Sequence, residues 1–97
     1  MKDFIFFMHN DPAMPIDETA WGAYLAGLRA SGAFEGGSEI GGGTCFRQSA
    51  APAPLSDHLS GFLRLSAETL EDAQSFLAGN PVYEAGGTIE IRELPKT

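Results

Sequence analysis

The reading that decides the fold is that of residues 60–94, SGFLRLSAETLEDAQSFLAGNPVYEAGGTIEIREL. Phe62–Leu65 is a short apolar run interrupted by Arg64, as in a strand with one well-buried face. Thr69 is placed to cap a helix, and Glu71 and Asp72 fall in the first turn, where the helix dipole favours negative charge. Leu70, Ala73, Phe76 and Leu77 form one apolar stripe, so a helix is expected over about 70–79. Gly79 suits a left-handed residue after the helix end, and Pro81 forbids continuation. Thr88–Glu93 then alternates. Ile89 and Ile91 point one way and Thr88, Glu90 and Arg92 the other, the period of a strand over about 87–94. If the two strands run parallel in one sheet, the helix crosses one face in the right-handed sense.

Upstream, Phe4–Met8 is apolar at every position, which predicts a strand over about 3–9 that is buried on both faces. Asn10-Asp11-Pro12 ends it. Asp17 is a good N-cap for a helix over about 17–31, with Trp21, Tyr24, Leu25 and Leu28 at amphipathic spacing and Gly32 as its stop. Six of the twelve glycines lie within residues 32–43. Here the pattern predicts a short strand around Phe34, a loose turn at Gly41-Gly42-Gly43, and a returning strand at Thr44–Gln48. Residues 49–55, SAAPAPL, read as an extended loop. A further strand over about 60–66 opens the quoted segment. The order strand-helix-strand-strand-helix-strand is the ferredoxin-like split βαβ arrangement, an α+β fold with an antiparallel sheet and two helices on one face.

Ninety-seven residues make one domain, 1–97, with a modest core. A net charge of −7, with the six basic residues scattered, argues against nucleic acid or an anionic membrane as partner. The single cysteine, Cys45, excludes an internal disulfide and a cysteine-cluster metal site, and fits a reducing compartment. The N-terminal apolar run is too short for a signal h-region or a membrane span, so a cytoplasmic protein is expected. Two helices cover only one face of such a sheet. A first strand apolar on both faces therefore predicts a homodimer with the sheets packed together.

The segments NPVYEAGGTIEIREL, GFLRLSAETLEDAQSFLAG and WGAYLAGLRASGAFEGG, in that arrangement, resemble the YCII-related proteins and their DGPF-type relatives. The resemblance covers most of the chain and implies a ferredoxin-like subunit of the dimeric α/β barrel. It also implies that any activity is that of a lyase or dehydrochlorinase on a small cyclic substrate, carried by a His–Asp pair. The chain departs from that pattern. Tyr24 stands where some relatives carry a histidine, Asn80 where those relatives carry an aspartate, and Pro54–His58 takes the place of the DGPF signature.

The residues themselves offer other candidates. His9 ends a central strand, where an imidazole can act as a general base, and Asp11 is the nearest carboxylate to orient it. A lone histidine there is more commonly a simple strand cap. Asp57-His58 lies in a loop, and adjacent residues of an extended chain point apart, so a dyad of His9 with Asp57 or His58 with Asp11 would have to be made by the fold. Tyr24 fits the core stripe, yet a buried phenol needs a partner and could donate to a substrate oxygen. Arg64 or Tyr83 could contact an anionic group, and His58 could line the same pocket. The glycines of EGGSEIGGG do not open a helix and so fail the context test for a phosphate loop. Cys45 reads as a small apolar strand residue. The expected function is a small enzyme with no metal or organic cofactor, performing proton transfer or elimination on a small cyclic or acidic compound. The alternative is a non-catalytic ligand-binding or regulatory module.

Overall fold

The first strand, β1 (Lys2–His9), lies inside a four-stranded antiparallel sheet. The computed structural model describes residues 1–96. β2 spans Phe34–Glu39, β3 Leu59–Ala67 and β4 Ile89–Leu94, in the spatial order β2-β3-β1-β4. β1 pairs with β3 and β4 on its two sides, so β3 and β4 run parallel to each other across it. That is the ferredoxin-like order expected.

The helices lie on one face. α1 (Trp21–Ser31) follows a 3₁₀ turn, Glu18–Ala20, whose N-cap is Asp17. It ends at Gly32, which adopts φ +78° and returns its N–H to the Arg29 carbonyl. The second helix is shorter than expected. α2 covers Leu70–Gln74, with the Thr69 hydroxyl accepting the Asp72 N–H, and a separate turn of helix, α3 (Pro81–Glu84), follows. α2 has ended at Gln74 with Ser75 as its C-cap, and Gly79 at φ +86° and Pro81 at the first position of α3 set the start of the next turn. Asn80, completely buried, caps α3 by accepting from the Val82 and Tyr83 N–H groups.

One correction concerns residues 44–48, which form no strand. Residues 40–58 hold no helix or strand, and Cys45 belongs to that irregular stretch. The strand that returns beside β2 is β3 itself. The alternation at 44–48 has no apolar face to bury, and Phe46, its one large apolar side chain, is 90% exposed.

The core lies between sheet and helices. Phe4, Phe6 and Met8 of β1 meet Leu63 and Leu65 of β3, Tyr24 and Leu28 of α1, and Val82 of α3. β1 is fully buried on that face only. Ile5, Phe7 and His9 are half-buried on the other, where no helix lies.

Candidate functional site

Register decides which side chains meet on this open face. The β1–β4 ladder sets Phe7 opposite Glu90 and Met8 opposite Ile89, and the His9 N–H donates to the Thr88 carbonyl at 2.9 Å. His9 and Glu90 thereby project together, away from the core. His9 Nε2 lies 2.9 Å from Glu90 Oε1. The Glu90 carboxyl is held below its usual range, first by the bond from His9 and then by the one from Arg92. A carboxylate only accepts, so His9 Nε2 carries the proton of this bond, and in the neutral imidazole the free lone pair is then on Nδ1. Glu90 Oε2 takes Arg92 Nη1 at 3.2 Å.

A second imidazole stands beside the first. The His58 ring packs edge-on against His9, with centroids 4.9 Å apart. Its backbone is tied to the end of β1, since its carbonyl accepts the Asn10 N–H at 2.8 Å, and Asn10 Nδ2 reaches the Asp57 carbonyl at 3.2 Å. His58 itself is exposed.

The carboxylate against His9 is therefore Glu90, not Asp11. Asp11 turns to Thr88, accepting its N–H at 2.8 Å and its hydroxyl at 2.6 Å. These two bonds, the hydroxyl's first, hold the Asp11 carboxyl below the usual range. Asp11 thus pins the loop after β1 to the start of β4. Arg64 is exposed, and it sits opposite Ile5 on an inner strand, so its exposure comes from the uncovered face rather than from an edge.

Tyr24 and Tyr83 are not brought to His9. Tyr24 lies on the helix side of the sheet and donates its hydroxyl to the Phe76 carbonyl at 2.6 Å. Burial raises its pKa, and the polar Asn80 side chain beside it opposes the rise. Tyr24 and Asn80, the two positions singled out by their departure from the family pattern, are thus neighbours. Both are engaged in holding the core. Tyr83, half exposed, borders a shallow groove with Ile89 and Ile91 on the helix side.

That side also holds a cleft of about 500 Å³ between α1 and the β2–β3 edge. Trp21, Leu25, Phe34 and Leu63 form apolar walls, and Glu18 and Arg29 supply charge. The Arg29 guanidinium lies over the Phe34 ring, 5.1 Å from its centroid. Glycines leave the space open on the sheet side, with Gly36, Gly37 and Gly61 all on the lining.

Sequence reasoning missed Glu90 and this cleft. The alternation at 88–93 does place Glu90 on the outward side of its strand, but only the cross-strand register sets it beside His9.

No family model matches the chain. No curated protein matches it either. Among solved structures it is similar to the 5-chloro-2-hydroxyhydroquinone dehydrochlorinase of Burkholderia phenoliruptrix, determined in complex with 2,5-dihydroxybenzoquinone. The TM-score is 0.63 at 19% identity, over 98% of this chain and 95% of the other. At that identity the likeness shows the fold alone, an α+β chain with a ferredoxin-like antiparallel sheet.

Proposed function

We propose that this chain is a YCII-related homodimeric enzyme that moves a proton on a small cyclic or acidic compound, in a lyase or isomerase reaction needing no organic cofactor. The observation that carries the reading is the 2.9 Å contact of His9 Nε2 with Glu90. An imidazole whose far nitrogen is held by a carboxylate keeps its other nitrogen free as a base, and the carboxylate stabilises the cation formed on proton uptake. His9 is the base at Nδ1, Glu90 its positioning residue, and His58 and Arg64 on the same side offer contacts for a substrate oxygen or anion. The fold is one that a dehydrochlorinase of a small hydroquinone also uses.

The test is turnover on a panel of hydroxylated quinols, catechols and lactones. His9→Ala is expected to lower kcat by about 10²–10⁴-fold, the usual worth of a positioned base. Substrate binding by His9→Ala with unchanged kcat would refute the assignment.

A second reading has its own support. The helix-side cleft is apolar, bounded by Arg29, and separate from His9, as a ligand-binding module would need. Saturable binding of a small aromatic acid that is lost in Arg29→Ala, with no turnover of any panel compound, would favour it.

A further inference from the structure

His9, His58 and Glu90 each present one ligand-type atom, and all three atoms lie within 4.8 Å of one another. We propose that this cluster is a binding site for a divalent transition-metal ion of the zinc class. The sequence gives no hint of it, because the three ligands are spread over residues 9, 58 and 90 and only the sheet brings them together.

The chemistry of the set fits. Two imidazoles and one carboxylate are borderline-soft and hard donors in the combination that suits Zn²⁺ at an open, four-coordinate site. Tetrahedral Zn–N bonds require neighbouring ligand atoms about 3.3 Å apart. The His9–Glu90 pair, at 2.9 Å, already has nearly that spacing. The remaining closure falls to His58, the exposed member, whose ring can turn while its backbone stays tied to Asn10. Arg92 holds the second oxygen of Glu90 and leaves Oε1 for the ion, the kind of outer contact that fixes a metal-binding carboxylate. The chain's net charge of −7 favours cation capture. A fourth position stays open to water or a small anion.

Binding would replace the His9–Glu90 hydrogen bond by a bridge through the ion, with the imidazole proton shifted from Nε2 to Nδ1 so that the ring stays neutral. The ion and the base of the preceding section therefore exclude each other, and the metal site does not rest on that reaction.

The full chain, free of any affinity tag and stripped with chelator, should be titrated with Co²⁺ in the spectrometer and with Zn²⁺ in the calorimeter. The expected result is one ion per chain, with the visible d–d band of a four-coordinate Co²⁺ site that Zn²⁺ bleaches. His58→Ala and Glu90→Gln should each weaken binding at least about tenfold. At one Zn²⁺ concentration the melting temperature of the parent protein should rise by more than that of His58→Ala. No cobalt band, or Zn²⁺ uptake equal in the parent and in His58→Ala, would overturn the proposal. His58 is exposed in a loop, so its variant keeps the fold. None of these readouts involves turnover, so failure here and failure of the proton-transfer reading are separate results.

Discussion

Tyr24 shows how one side chain can be legible as core while the partner of its polar tip is not. Its spacing with Trp21, Leu25 and Leu28 predicted burial, and it is buried. Its hydroxyl finds a partner within the chain, the Phe76 carbonyl. Removing that bond in Tyr24→Phe should cost about 0.5–1.5 kcal/mol at neutral pH, read as a lower urea midpoint. The folded-state pKa lies above the unfolded value of 10.0. The neutral phenol's contribution is therefore complete below that pH and is lost as pH rises through the folded value. Alkaline titration of stability should show this loss in the parent and not in Tyr24→Phe. His9 was legible too, as the imidazole at a strand end. Its carboxylate was not, because Asp11 is two residues away in sequence while Glu90 is 81 away. Local nearness gave the wrong partner, since the polar Thr88 claims Asp11 first.

At the scale of elements, the strong periodic signals were the ones that held. The alternation at 88–93, the Thr69 cap and the Gly32 stop appear in the structure as read, whereas α2 ends at Gln74, before the stop expected at Gly79. The glycine-rich stretch was harder, because glycine carries no face. Gly37 illustrates what those glycines do. A Cβ there would stand 2.5 Å from the Phe62 carbonyl oxygen and 2.7 Å from a Leu63 methyl, so β2 can lie against β3 only without one. Gly37→Ala should destabilise by about 1–3 kcal/mol through this overpacking, whereas Gly42→Ala, with nothing within 4 Å, should be close to neutral. Paired denaturant titrations would check both. Cβ clearance depends on the neighbouring strand, so no reading of 36–43 alone could separate the two glycines.

The whole molecule is thin, 19 Å in its shortest dimension, as one helix layer on one sheet must be. Ile5, Phe7, Phe62 and Leu94 are only half-buried on the uncovered side. A twofold partner packed sheet to sheet would cover them. Light scattering at micromolar concentration should give twice the chain mass, and Phe7→Glu should halve it. A monomer mass for the parent would remove the dimer. The place of β1 between β3 and β4 has one more consequence, which concerns the order in which the chain is made. The segment Phe4–Met8 leaves the ribosome well before its neighbours, residues 59–67 and 89–94. The most apolar stretch of the protein thus waits for nearly the entire chain before both its edges are filled. A product released early, before residue 89, would keep a long apolar strand with one bare edge. It would be prone to association with its own kind instead of being a smaller working version of the protein.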